Sequence, residues 1–288
     1  MHFRASVAWI LFASLMFATM SALVKVAAAG VSLPEIVFFR TLPAAVGLFV
    51  LARIRGHAIT TRNGKLLVLR CCVGIGGTFV SFYAVSHLPL ATATTLEYTT
   101  PLFMLAYIVV VMRSRVTPSM AFAMIGGFVG VVVLLRPTVQ SGQTLAFAAG
   151  LCSGILAGLA YTLLRKLGDA GESTSRIVLW YSISANVVAA ALIPFSPPSH
   201  YDMETILALG ALGVVGLGAQ VGLTRAFRSG PTTLLASLQY STVAFAAIYG
   251  VLLWGDTLST ASVFGLTLIV LSGIVALRGA AKPIQVDS

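Results

Sequence analysis

The sequence predicts an all-α polytopic membrane protein whose ten transmembrane helices form two inverted five-helix repeats. Three observations lead there. First, over 288 residues the apolar share is 58%, the charged share 9% and the mean hydropathy +0.98. That is far from the balance of a soluble domain, and the apolar residues gather into runs of about 20, the length that crosses a hydrocarbon layer. Second, residues 89–107 (PLATATTLEYTTPLFMLAY) return as residues 231–249 (PTTLLASLQYSTVAFAAIY). Pro89/Pro231, Leu96/Leu238, Tyr98/Tyr240, Thr100/Thr242, Phe103/Phe245 and Tyr107/Tyr249 are identical. Of these, Leu96, Thr100, Phe103 and Tyr107 fall on one stripe of a helix, which marks a retained surface. Third, lysine and arginine alternate between basic and nearly uncharged loops along the chain.

Taken in order, the expected spans begin with 7–28. Arg4, the apolar run and Ala27-Ala28-Ala29 mimic a cleavable signal peptide, but the run is long enough to span and Lys25 interrupts it, so it is read as a retained first helix. Spans 34–52, 66–86, 90–112 and 118–135 follow and complete a first repeat, residues 1–137. A linker rich in Gln, Ser and Gly covers 138–144. Spans 145–164, 176–194, 205–226, 232–253 and 259–277 build the second repeat, 145–279, before a cytoplasmic tail at 280–288. Pro34, Pro89, Pro118 and Pro231 open helices, where the missing N–H costs nothing. Pro101 lies inside a span and is expected to bend it. Gly150, Gly154 and Gly158, with the pairs Gly126/Gly130 and Gly218/Gly222, carry the small-residue spacing of helix contacts. Gly74-Ile75-Gly76-Gly77 follows no strand and lacks a third glycine at the nucleotide-loop spacing, so it too is read as helix packing.

The basic loops hold Arg53, Arg55, Arg62 and Lys65, then Arg113 and Arg115, then Arg165, Lys166 and Arg176, then Arg225 and Arg228. Arg4, Arg278 and Lys282 add both termini to that side. The opposite loops hold Arg136 with Glu35, Asp202, Glu204 and Asp256. This asymmetry puts both termini in the cytoplasm and the chain in an inner (plasma) membrane. With five spans per repeat, the two halves enter the membrane in opposite directions, the plan of many secondary transporters.

The net charge of +10 is spread singly and in pairs between apolar spans, without a basic aromatic stripe, which excludes a nucleic-acid partner. Cys71, Cys72 and Cys152 offer no disulfide framework. No phosphate loop, HExxH or GxSxG motif occurs, and His2, His57, His87 and His200 lie in loops or at span ends, away from any membrane-embedded metal site. Neither enzyme chemistry, a cofactor nor a metal is expected. Work must then come from gradients or substrate exchange.

The ionisable residues singled out inside spans are Lys25, Arg40 and Glu97, all in the outward half. Lys25 is open to snorkelling, and Arg40 to a structural salt bridge. Glu97 carries the strongest functional signal: it lies about 10 Å into its helix, where an acid costs roughly 2.5–3.5 kcal/mol on insertion scales. Thr100 shares its face. Gln239 is its counterpart in the second copy. Tyr83, Tyr98, Tyr161, Gln220 and Tyr240 complete a candidate cavity lining, with Tyr98 and Tyr240 favoured by their repetition. Trp180 and Tyr181 read as interfacial aromatics, and Asn186 as a helix-to-helix bond.

These residues resemble the drug/metabolite transporter superfamily, and within it the ten-helix EamA-like family. The marks are Lys25, the FFR of Phe38-Phe39-Arg40, HLPLATA at 87–93, Pro101, GFVGVVVLLRP at 127–137 and LWGDTLS at 253–259. The resemblance spans residues 8–279. It implies a central cavity between the repeats, lined in part by helices three, four, eight and nine; relatives handle amino acids, nucleotide-sugar-like and cofactor-like metabolites, and cationic drugs. Two departures stand out. The turn MRSRVT at 112–117 lacks the usual glycine and acid, and Glu97 stands where many relatives carry a small or apolar residue.

The expected function is secondary transport of a small polar or amphipathic metabolite by alternating access, export slightly favoured. A passive channel is the alternative, followed by an enzyme acting on lipid-linked substrate. The expected partners are the small-molecule substrate, the bilayer and protons as a coupling ion, with a homodimer left open. Glu97 is read either as counter-charge to a cationic group of the substrate or as the coupling proton's site.

Overall fold

The computed structural model describes residues 2–27, 30–56, 59–111, 113, 116–138, 142–255, 257 and 259–280. Every regular element among them is helical: α1 (His2–Ala27), α2 (Leu33–Ile54), α3 (Gly64–His87), α4 (Leu90–Glu97), α5 (Thr100–Ala106), α6 (Pro118–Leu135), α7 (Thr144–Asp169), α8 (Thr174–Leu192), α9 (Met203–Ser229), α10 (Thr232–Leu238), α11 (Ser241–Trp254) and α12 (Thr260–Ala280). α5 runs on into a π-turn, Tyr107–Val111, and α8 into a 3₁₀ turn, Ile193–Phe195. Ten stretches are long and apolar enough to cross a membrane, α4 joining α5 and α10 joining α11 in single spans. The fifth and ninth, Pro118–Leu135 and Thr232–Leu253, coincide with the apolar runs. Others are longer. The sixth continues to Asp169 and the eighth to Ser229, because Arg165, Lys166, Arg225 and Arg228 extend the helices beyond the apolar core. Half of the 112–117 turn (112, 114 and 115), with the linker positions 139–141, Asp256 and the tail 281–288, lies outside the described residues.

Local chemistry fixes the helix starts. Ser32 and Glu35 form a capping box ahead of α2, with Pro34 in its first turn. Asp202 caps α9 by accepting from Thr205 N at 2.8 Å, and Ser173 caps α8.

The first span packs on the eighth, the third on the sixth, the second on the seventh and the fifth on the tenth. Advancing every span by five maps this set of pairs onto itself. The seams run along the glycines. Gly130 meets Gly265 where α6 crosses α12, and Gly218 and Gly222 take Phe12 and Met16 of α1. Close backbone approach of this kind drives helix association in lipid, where apolar surface alone gives no preference. Asn186 bonds the carbonyl of Phe38 at 2.9 Å and the Thr41 hydroxyl at 2.8 Å, joining α8 to α2 as expected.

Core packing differs between the two ends of the bundle. At the end that carries the basic loops, one continuous apolar cluster joins Ile10, Leu67, Met104, Met124, Leu164 and Phe227, among others, with the whole of 234–236. At the acidic end the core is split. Ala27, Ile36 and Leu212 gather α1, α2 and α9, while Ala84, Ala93, Leu96 and Ala146 separately gather α3, α4 and α7.

Candidate functional site

Glu97 is the last residue of α4, at a break. Pro101 has no N–H to give the carbonyl four residues back, which is that of Glu97. The Thr100 hydroxyl takes its place at 2.7 Å. Thr99 N turns to Leu96 O at 3.1 Å, a tighter register than the α-helix, and α5 then resumes. The ninth span breaks at the corresponding position between α10 and α11 without a proline. There Tyr240 N bonds Ser237 O and Thr242 N bonds Gln239 O. In both copies a hydroxyl covers the same carbonyl: Thr99 bonds Leu96 O and Ser241 bonds Leu238 O. This Thr/Ser equivalence is invisible to a count of identities.

Each break is docked on glycines. Gly150, Gly154 and Gly158 of α7 hold Leu96, Thr99 and Met104 so closely that a Cβ would meet Leu96 at 2.6 Å and Met104 at 3.1 Å. On the other side of the bundle, Gly213 and Gly216 of α9 admit the α2 backbone. A Cβ on Gly216 would stand 2.9 Å from the Arg40 Cγ. The two close seams therefore present Glu97 from α4 and Arg40 from α2 to the same space. Their charges act on each other, yet they make no ion pair, and neither head has a hydrogen-bond partner among the described residues. Arg40 is half-buried and Glu97 is exposed. Among the described residues Arg40 makes no salt bridge.

The accessible residues of α4 run from Glu97 toward the acidic end. Along α4 the stripe Ala91, Thr94, Glu97 and Tyr98 is accessible, Glu97 most of all. In its counterpart in the second copy, Thr233 and Gln239 are half-buried, while Ala236 and Tyr240 are enclosed, at 0% and 1% exposed. Between them lies a floor. Gln239 Nε2 donates to the Tyr161 hydroxyl at 3.1 Å, and Tyr161 stacks on Phe227 with centroids 4.6 Å apart. The Tyr98 and Tyr240 rings stand 6.3 Å apart, and the Tyr240 hydroxyl is held by Met124 O at 3.1 Å.

Of the residues singled out from sequence, Glu97, Arg40, Tyr98, Tyr161, Gln239 and Tyr240 come together. Gln220 is buried on the α9 face shared with Gly216 and Phe227, between Arg40 and Tyr161. Tyr83 sits nearer the acidic end, its ring 4.2 Å from His87. Thr100 is not brought to the opening; it is buried and bonded to the Glu97 carbonyl. Lys25 is on α1, with its side chain outside the described residues. Trp180 and Tyr181, read as interfacial aromatics, both make contacts within the protein. Trp180 donates to Ile59 O at 3.1 Å, and Tyr181 is buried beneath Arg70. Arg70 is the residue that sequence reasoning missed: it falls inside the third span and is 3% exposed. Its position, short of mid-span, is the signal that could have found it.

The sequence model of the EamA-like transporter family matches residues 4–136 and again 144–278. The chain belongs to this family. A pseudopaline exporter of Pseudomonas aeruginosa is similar at 31% identity over 268 residues, 92% of this chain and 93% of that protein. An S-adenosylmethionine uptake transporter of Rickettsia prowazekii is similar at 24% over 242 residues, 82% of this chain and 80% of that one. A solved crystal structure superposes with a TM-score of 0.84 at 20% identity, over 96% of this chain and 98% of its own, and so shares the fold. EamA-like proteins form part of the drug/metabolite transporter superfamily, and the names in this family are those of transporters, not of enzymes. This EamA-like chain is thus a multi-pass membrane transporter of small molecules, and the opening at Glu97 and Arg40 is its candidate binding site.

Proposed function

We propose that the chain is a secondary carrier that moves a small zwitterionic metabolite across the inner membrane by alternating access, with both termini cytoplasmic and export the favoured direction. The observation that carries this is the pair Glu97 and Arg40: opposite charges that act on each other inside the bundle, neither in an ion pair among the described residues. Charged side chains at membrane depth require a counter-group. A carboxylate and a guanidinium held apart fit the ammonium and carboxylate of an amino-acid-like solute, the guanidinium taking its carboxylate through two parallel N–H bonds. Two inverted repeats would supply the motion. When the accessible stripe of the first copy and the more enclosed stripe of the second exchange shapes, the opening passes from the acidic to the basic end. Orientation follows from the lysine and arginine loops. Direction is supported by the more similar of the two relatives, the exporter.

Counterflow in proteoliposomes tests the reading, with a labelled amino-acid mixture outside and the same mixture unlabelled inside. A carrier accelerates label entry, whereas a passive channel does not. Glu97→Gln and Arg40→Gln are each expected to lower exchange about 30-fold or more, in line with the roughly 2–5 kcal/mol lost when one partner of a buried pair is stranded. If Glu97→Gln abolishes accumulation driven by a pH gradient but spares exchange, the carboxyl carries the coupling proton instead of the substrate. Wild-type exchange in both variants would end the proposal.

A further inference from the structure

Arg70 takes no part in the opening. It lies six residues into α3, about 9 Å from the helix start at the basic end. Its Nε and NH1 are buried and find no acceptor among the described residues. The guanidinium carbon rests 4.8 Å from the centroid of the Tyr181 ring. The Tyr181 hydroxyl is in turn within 3.4 Å of Thr78 Oγ1. Space for the guanidinium is made by Gly74, one turn along α3: a Cβ there would overlap NH1 and come within 3.0 Å of the Tyr181 ring.

A cation parked on an aromatic face regains part of its lost hydration. Two N–H groups aimed at nothing do not, and an unpaired buried charge is among the costliest features a protein can hold. Such an arrangement is retained where another state or a ligand supplies the missing acceptor. Neither ion pair among the described residues involves Arg70, and both Glu97 and Arg70 act electrostatically on the Tyr161 hydroxyl. Arg40 lies about 10 Å into α2 from the acidic end and Arg70 about 9 Å into α3 from the basic end.

We propose that Arg70 is a second carboxylate-binding station, which takes the anionic group of the transported solute when the basic end opens. The proposal rests on the carrier reading above. Tyr181 and Gly74 hold the guanidinium in position, ready to turn its free N–H edge to the solute once the apolar cluster around Leu67 and Phe227 parts.

Thermal unfolding of the full chain in detergent, with acetate as probe against chloride at equal ionic strength, tests this. In an Arg40→Gln background, which removes the carboxylate partner on the open side, acetate is expected to raise the melting temperature by several degrees. Adding Arg70→Gln should abolish that shift, and Arg70→Lys should leave part of it. Gly74→Ala keeps the charge but displaces the guanidinium, so it should also abolish the shift; it decides the matter if Arg70→Gln fails to fold. An acetate shift that survives both Arg70→Gln and Gly74→Ala overturns the proposal, as does the absence of any shift in Arg40→Gln alone. A structural pin would show itself as a lower melting point of Arg70→Gln in chloride with the acetate shift intact. Failure of the carrier reading is separate, since it appears as unaltered counterflow in Glu97→Gln and Arg40→Gln.

Discussion

Tyr240 shows how one residue at the break is fixed. Its ring is enclosed, its hydroxyl is held by Met124 O, and its face lies on Gly127 of α6, where a Cβ would overlap the ring. Gly127→Ala is therefore expected to destabilise the protein by about 1–3 kcal/mol, the usual range for overpacking a core. At Gly76 on α3, by contrast, a Cβ would meet nothing within 4 Å; Gly76→Ala should be neutral or stabilising by about 0.5–1 kcal/mol through helix propensity. Denaturation of both variants in one detergent checks the pair, and equal melting points would remove the packing argument. Glu97 and Arg40 were legible in the sequence because a charge inside an apolar run is costly wherever it points. Thr100 was legible as repeated but not as packed, since repetition preserves helix contacts as readily as ligand contacts. Arg70 carries the same signal as Glu97 and Arg40, since it stands inside the expected span 66–86, but its nearness to a basic loop masks it, and its burial beside Tyr181 is what sets it apart.

Short connections are tied together at the two ends of the bundle by one carboxylate each. At the acidic end Glu35 accepts from Ser32 N at 3.0 Å, from the Tyr201 hydroxyl at 2.7 Å and from Ser199, joining the turn before α2 to the loop before α9. At the basic end Glu172 accepts from Thr61, from Asn63 Nδ2 at 3.1 Å and from Arg176 NH1 at 2.6 Å, joining the turn before α8 to the loop before α3. The two clasps occupy connections five spans apart. Burial alone would raise the Glu172 carboxyl, but the bonds from Thr61, Arg176 and Asn63 outweigh it and hold the group below the usual carboxylate range. A group depressed in the folded state stabilises fully above its unfolded value, about 4.3 for Glu, and loses that contribution as the pH falls through its folded value. Melting of the wild type should accordingly drop more steeply than that of Glu172→Gln on acidification below about pH 4. Near neutral pH, Glu172→Gln should melt lower, by about 1–3 kcal/mol of stability, because Arg176 and Asn63 lose a charged acceptor. Superposable pH profiles would show that the clasp contributes nothing. Each span was legible from its apolar run, and so were the glycine seams. The clasps were not, because Thr61 and Glu172 are ordinary loop residues until the fold brings two distant turns together.

On the scale of the whole molecule, the split core at the acidic end and the single core at the basic end are what one state of the proposed carrier should show. Equivalent positions in the two copies report opposite environments: Thr94 lies on the accessible stripe of α4, and Ala236 is enclosed in α10. Paired with the lysine and arginine placement, this gives a prediction about both sidedness and state. In a background with Cys71, Cys72 and Cys152 replaced, single cysteines are placed at Thr94, Ala236, Arg62, Ser229 and Pro198. Arg62 and Pro198, in loops, and Ser229, the last residue of α9, are exposed, Arg62 and Ser229 at the basic end and Pro198 at the acidic end. An impermeant maleimide added to intact cells should label Pro198 and Thr94 and spare Arg62, Ser229 and Ala236. Labelling of Arg62 and Ser229 in place of Pro198 would invert the membrane orientation. Labelling of Pro198 without Thr94, with Ala236 reactive only in inverted vesicles, would mean that the resting carrier is open at the other end. If the two halves exchange shapes during transport, substrate should then shift Thr94 and Ala236 in opposite senses. Parallel changes at both would indicate a pore that opens and closes as one piece.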